Sequence, residues 1–141
     1  MTRRFAGVAL VLTLAVTACG GESKEEKAQA KVCSARADVK KQVDELKSTT
    51  ITTASVEGVQ SNLQAIGKSL SAMVEAQKDL KGDRKQDVQA ATQAFKTEVA
   101  SVGREVIASL SAGDAAQQIQ TAVEGLASGY TKALAPIDCS S

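Results

Sequence analysis

From residue 32 to residue 135 the chain carries apolar side chains that recur every three to four residues, separated by polar ones. That repeat is typical of amphipathic α-helices. The first apolar stripe predicts a helix from Val32 to Ser48; it consists of Val32, Ala35, Val39, Val43 and Leu46. The threonine-rich segment Thr49 to Ala54 predicts a connection, because β-branched residues are poor helix formers. Ser55 is the expected N-cap of the next helix.

The second helix has the clearest pattern. Two heptad series run through it, and apolar side chains occupy every position of both series except Gln77. The series are Val56, Leu63, Leu70 and Gln77, and Val59, Ile66, Met73 and Leu80. Such a seam is typical of helices that pack as in coiled coils. Gly82 predicts the end of this helix, and Asp83 is the expected cap of the third.

The third and fourth helices follow with different spacings. The third stripe is closer to eleven residues in three turns than to a strict heptad, so its face should run straighter along its neighbours. It consists of Val88, Thr92, Phe95, Val99, Val102, Val106 and Leu110. Ser111 or Asp114 then caps the last helix, Asp114 to Ala135, which stops before Pro136. Its stripe consists of Ile119, Val123, Leu126, Tyr130 and Leu134.

These helices predict an all-α domain over residues 32–141. Short connections favour antiparallel neighbours, so we expect an up-down-up-down four-helix bundle, with a three-helix bundle as the alternative. The heptads of the second helix also allow a dimer of hairpins. We expect a monomer rather than this homodimer.

The N-terminal residues have a different character. Arg3 and Arg4 precede an apolar run from Phe5 to Val16, which is too short for a membrane-spanning helix of ~20 residues. The run ends in Val16-Thr17-Ala18-Cys19, a branched apolar residue followed by two small residues and a cysteine. This order of features is typical of a cleaved signal peptide, with an ordinary secretory signal or an uncut anchor as the alternatives.

The same features resemble bacterial lipoprotein precursors. The resemblance implies a signal peptide over residues 1–18 and a diacylglyceryl group, with acyl chains such as palmitate, on the thiol of Cys19. Two acyl chains hold a protein stably on a membrane. We therefore expect the chain on the extracytoplasmic face of the cell membrane, with the polar residues 19–31 as a tether. The body resembles small helical lipoproteins of high-GC Gram-positive bacteria, a resemblance that implies no activity.

Charge and residue content argue against several function classes. Cleavage before Cys19 would remove two of the 17 basic residues and none of the 16 acidic ones, so 15 against 16 gives a mature net charge of −1. This balance offers no basic surface for nucleic acid. The chain contains no histidine, the commonest general base and metal ligand. We expect no catalytic residues, no metal and no cofactor, and interpret the neighbouring carboxylates Asp44 and Glu45 as a solvated surface.

The expected function is therefore non-catalytic. A lipid-anchored helical domain suits binding to an envelope protein, or a spacer role in the cell envelope. The alternative is a carrier of a small molecule or lipid held between the helices. Its support is the set of glycines inside predicted helices, which we interpret first as marks of close helix packing: Gly58, Gly67, Gly103, Gly125 and Gly129.

Cys33 and Cys139 are the two cysteines left once Cys19 is acylated, and export would place them in an oxidising compartment. In an up-down-up-down bundle the fourth helix ends where the first begins, which sets Cys139 beside Cys33. We therefore predict a Cys33–Cys139 disulfide, the alternative being two buried thiols. A loop of ~100 residues is worth up to ~4.7 kcal/mol in the chain-entropy model.

Overall fold

The computed structural model describes residues 21, 23–52 and 55–140 of the 141-residue chain. Four α-helices, α1 to α4, span Lys24–Ser48, Val56–Ala76, Gly82–Ser109 and Ala115–Ala133, and a 3₁₀ turn, Gln77–Asp79, extends α2. The described residues contain no strand, so the all-α prediction is confirmed for them. None of the described helices combines the length and the apolar character that crossing a bilayer requires. Cys19 and the predicted signal peptide lie outside the described residues.

Helix α1 begins at Lys24, eight residues before the predicted start at Val32, so residues 24–31 of the predicted tether belong to this helix. The cause is a capping box. The Ser23 hydroxyl accepts the Glu26 backbone N–H at 3.1 Å, and the Glu26 carboxylate accepts the Ser23 N–H at 2.8 Å. These bonds satisfy amides that a helix otherwise leaves without partners. Ala28 lies in this added part and is buried, so the extension packs against the core.

The heptad seam of α2 is confirmed. All seven apolar members of the two series are buried, including Leu80 just after the 3₁₀ turn, whereas Gln77 is half-buried. Gly82 follows with a positive φ of 55°. Left-handed backbone of this kind suits glycine, which has no Cβ to clash. Gly82 therefore lets the chain turn sharply between α2 and α3.

Helices α3 and α4 differ from prediction mainly at their ends. Leu110 was expected in the core but is 54% exposed, because α3 ends at Ser109 and Ser109 takes the buried position. Val99 is half-buried. Neither Asp83 nor Asp114 caps its helix with a side-chain hydrogen bond: Lys81 holds the N-cap of α3, and Asp114 holds that of α4 without such a bond. The predicted stripe of α4 is buried throughout.

One continuous apolar core joins the helices. Helix α1 packs with α2, α2 with α3, α3 with α4, and α4 with α1, a set of contacts that fits a helical bundle. Phe95 of α3 is fully buried and meets Tyr130 of α4 edge to face, with ring centroids 6.1 Å apart. Offset and edge-on ring pairs add to the stabilisation that burial provides.

The interpretation of the internal glycines as marks of close packing is wrong at most positions. A Cβ built on Gly58, Gly67, Gly103 or Gly125 would meet no heavy atom within 4 Å. At Gly129 it would lie 3.1 Å from Cγ of Glu98. Only this last glycine lies against a neighbouring helix, and what it touches there is the flexible stem of an exposed side chain.

Candidate functional site

The chain beyond α4 lies back on α1. We call residues 134–140 the C-terminal strap. Leu134 and Ile137 of the strap are buried in the main core, at 0% and 7% exposure. Cys139 is joined to Cys33 by a disulfide, with Cα atoms 5.6 Å apart, so the structure confirms the predicted bridge. The bridge spans 106 positions of sequence and closes the part of α1 after Cys33 and all of α2, α3 and α4 into one loop.

Arg36 of α1 bonds the backbone of the strap just beyond α4. Its Nη1 donates to the carbonyl oxygen of Ala135 at 3.1 Å and to that of Ile137 at 2.6 Å. Both acceptors lie beyond Leu134, the C-cap of α4, so Arg36 bonds the backbone of the strap itself. A hydrogen bond from a charged donor is stronger than a neutral one, so this contact fixes the strap to α1.

Gln29 extends the same contact surface towards the start of α1. Its side-chain amide donates to the carbonyl oxygen of Asp138 and lies 3.6 Å from Sγ of Cys33. Gln29, Cys33 and Arg36 are spaced four and three residues apart, so they share one face of α1. This face of α1 therefore holds the strap in two ways, through hydrogen bonds to the backbone of the strap and through the disulfide.

The carboxylate of Asp138 is hydrogen-bonded within the last turn of the strap. It accepts hydrogen bonds from the Ser140 hydroxyl at 2.5 Å and the Ser140 backbone N–H at 2.9 Å. These bonds, with smaller contributions from Arg84 and Arg36, hold the pKa of Asp138 below its usual value, although slight desolvation opposes them. The carboxylate of Asp138 is therefore ionised at neutral pH. It lines the same groove as the guanidinium of Arg84 on α3.

A shallow groove lies between α3, the end of α4 and the strap. It has a volume of about 530 Å³, and its apolar lining consists of alanines, Val88, Pro136 and Ile137. Arg84 and Lys132 add positive charge, and Asp87 and Asp138 negative charge. The groove is thus small, open and of mixed charge, and it lacks the enclosed apolar walls typical of a small-molecule pocket.

The far ends of α3 and α4 carry a polar cluster. The hydroxyl of the buried Ser109 donates to the carbonyl of Glu105 at 2.6 Å and lies 3.1 Å from Oε1 of Gln118. The Gln118 amide donates in turn to Asp114 at 2.7 Å. The cluster joins the end of α3 to the start of α4, which is a structural role.

Ionisable groups elsewhere form simple surface pairs. Lys40 bonds Asp44 one turn away on α1, and this bond raises the pKa of Lys40. Burial raises the pKa of Tyr130, and the nearby Arg36 and Lys40 oppose this rise. The described residues contain no group of three or more cysteine, aspartate or glutamate side chains placed to hold a metal ion. The lysine–carboxylate pairs lie on the surface of the helices, and Tyr130 belongs to the core.

Of the three residues predicted to carry chemistry, the structure brings Cys33 and Cys139 together, and Cys19 lies outside the described residues. Sequence reasoning missed Gln29 and Arg36. Their spacing from Cys33 was the available signal, but Gln29 could be placed on the same face only once α1 was known to start at Lys24.

Comparison with known proteins identifies no relative: no family model, no curated protein and no solved structure matches the chain.

Proposed function

We propose that the protein is a non-catalytic, lipid-anchored helical domain on the extracytoplasmic face of the cell membrane, where it binds an envelope protein or acts as a spacer. The observation that carries the proposal is the lipobox-like Val16-Thr17-Ala18-Cys19, followed within a few residues by a folded, disulfide-closed body. A disulfide in a small domain suits an oxidising compartment.

The start of α1 at Lys24 supports a short tether. Five residue steps separate Cys19 from Lys24, and a chain can span at most ~3.3–3.6 Å per residue, so α1 would begin within about 18 Å of the lipid-bearing residue. The body would then sit close to the membrane, and any partner would be one that reaches this layer.

We further propose the up-down-up-down arrangement for the bundle. Two contacts support it: the strap after α4 is bonded to the first half of α1, and Ser109 at the end of α3 lies beside Gln118 near the start of α4. This arrangement gives the bundle one end near the anchor and one remote from it. The remote end would contain the C-termini of α1 and α3 and the N-termini of α2 and α4.

The anchor is tested by Cys19→Ala. We expect the native protein to partition into the detergent phase of a Triton X-114 extract and the variant to accumulate as an unlipidated precursor. Cys33→Ser is the matched control, because it removes a thiol but leaves the lipidation position intact. Equal incorporation of labelled palmitate by native protein and Cys19→Ala would contradict the proposal.

The role is tested by site-specific photo-crosslinking in intact cells. Crosslinkers at the exposed Ile107 and Leu110 would report on the end remote from the anchor, and one at Arg84 on the strap groove. A single recurrent adduct from one of these positions supports a binding role, and none from any position supports a spacer. A lipid or small molecule retained in native mass spectrometry would instead support the carrier. Light scattering should give a monomer mass, since dimerisation through α2 would need its buried seam.

A further inference from the structure

The strap is held on α1 by contacts that do not depend on the sulfur bond. Leu134 and Ile137 place their side chains in the main core. Burial of apolar side chains such as these is the main force that favours the docked strap. These contacts lie two and five residues before Cys139, so they position the backbone that carries the cysteine.

Polar contacts restrain the strap on both sides of Ile137. Arg36 donates to the carbonyls of Ala135 and Ile137, and Gln29 donates to that of Asp138. Hydrogen bonds from a charged donor are about twice as strong as neutral ones. The carbonyl that Gln29 binds belongs to the residue directly before Cys139. These bonds hold the backbone on the N-terminal side of this cysteine against α1, and none of them involves a sulfur atom.

We propose that the strap stays docked on α1 when the Cys33–Cys139 bond is reduced, so that the disulfide is a clip that opens and closes without unfolding. Reduction breaks the S–S bond, and each sulfur gains one electron and one proton to become a thiol. A dithiol reductant such as dithiothreitol supplies both electrons and both protons and becomes a cyclic disulfide. The two protein thiols remain neighbours after this step.

Two consequences follow for the molecule. The groove beside α3 keeps its wall in both redox states, because Pro136, Ile137 and Asp138 of the strap form part of it. Reoxidation should also restore the native pair directly, since docking keeps one thiol at high effective concentration near the other.

The test is hydrogen exchange followed by mass spectrometry on the full chain in detergent micelles, with and without dithiothreitol. In the native sequence we expect the C-terminal peptide, residues 134–141, to keep its protection within a few-fold on reduction. Arg36→Met keeps an apolar stem but removes the donors. When reduced, this variant should lose protection of the strap by about tenfold, the effect of losing one to two kcal/mol of docking. When oxidised, it should keep most of the protection, since the bond still holds the strap.

Arg84→Met is the matched control, because Arg84 faces the strap across the groove without a hydrogen bond to it among the described contacts. It should leave protection unchanged in both redox states. Cys33→Ser/Cys139→Ser should behave as reduced native protein. The proposal is overturned if reduction alone gives the strap the exchange rate of an unstructured peptide, if residues 59–73 of α2 lose protection with it, or if reduced Arg36→Met matches reduced native protein.

Discussion

The ring of Tyr130 on α4 stands edge-on to the ring of Phe95 on α3, with their planes at 82° and their centroids 6.1 Å apart. These are two of the three aromatic residues in the chain, and they meet in the middle of the core. The other buried side chains of α3 and α4 are smaller, so we expect this ring pair to contribute most to the packing of α3 on α4.

Phe95→Ala should lower the free energy of unfolding by about 3–5 kcal/mol, because it removes a fully buried ring and leaves a cavity. Tyr130→Phe is the control, since it keeps the ring contact and removes only the hydroxyl at the edge of the core; we expect a change below about 1 kcal/mol. Urea unfolding followed by circular dichroism measures both. A loss under 1 kcal/mol for Phe95→Ala would show that the pair is not central.

Thr92→Val should stabilise the protein by about 1 kcal/mol. Thr92 is 1% exposed, and its hydroxyl finds no hydrogen-bond partner among the described residues. A buried polar group without a partner costs ~1–3 kcal/mol, and valine removes it with little change of shape. Thr97→Val is the matched control on the same helix, because Thr97 is exposed and bonds the carbonyl of Gln93. If both variants unfold at the same urea concentration as the native protein, the hydroxyl of Thr92 has a partner in solution.

Glycine replacements should have opposite effects at two positions. Gly67→Ala should stabilise by about 0.5–1 kcal/mol, because a Cβ there meets open space and alanine is the better helix former. Gly82→Ala should destabilise by about 1–2 kcal/mol, because a Cβ is strained at its φ of 55°. Thermal unfolding of the two variants checks the contrast. Stabilisation by both would mean that the turn before α3 relaxes to negative φ.

The turn at the end of the strap should weaken in acid. Because the folded-state pKa of Asp138 is lowered, its ionised form adds stability at pH values above the usual 3.8, and this contribution is lost as the pH falls below 3.8. The difference in free energy of unfolding between native protein and Asp138→Asn should therefore become smaller from pH 6 to pH 3. Ser140→Ala removes the largest cause of the lowered pKa, so in that background the Asp138→Asn substitution should change the free energy of unfolding less. A difference in free energy of unfolding that stays constant over this pH range would contradict the lowered pKa of Asp138.

The parts of the fold that sequence could predict are those decided by local pattern. Every apolar position of the α2 seam is buried, because periodicity alone determines which face a helix hides. The start of α1 was misjudged because its first residues are polar; Ser23 and Glu26 formed a recognisable capping box that was interpreted as tether. Leu110 was misplaced because helix ends depend on the neighbouring turn, where Ser109 fills the buried position.

The strap contacts were harder to predict. The disulfide could be predicted from topology, since bundle geometry brings the two chain ends together. The role of Arg36 could not, because its acceptors are backbone carbonyls 99 and 101 residues away, and a backbone carbonyl carries no signature in sequence. A local charge pattern does not distinguish an arginine that faces solvent from one that bonds the backbone of a distant segment.

The position of the disulfide determines how this domain would respond to mechanical force. A pull between the start of α1 and the chain end would pass from Lys24 along α1 to Cys33 and across the bond to Cys139. Helices α2, α3 and α4 lie outside that path and would bear no tension. Reduction would place them in line with the load, and full extension of the 106-residue segment would then release about 350 Å of chain. With the bond intact, the body would therefore transmit tension between these two points without unfolding.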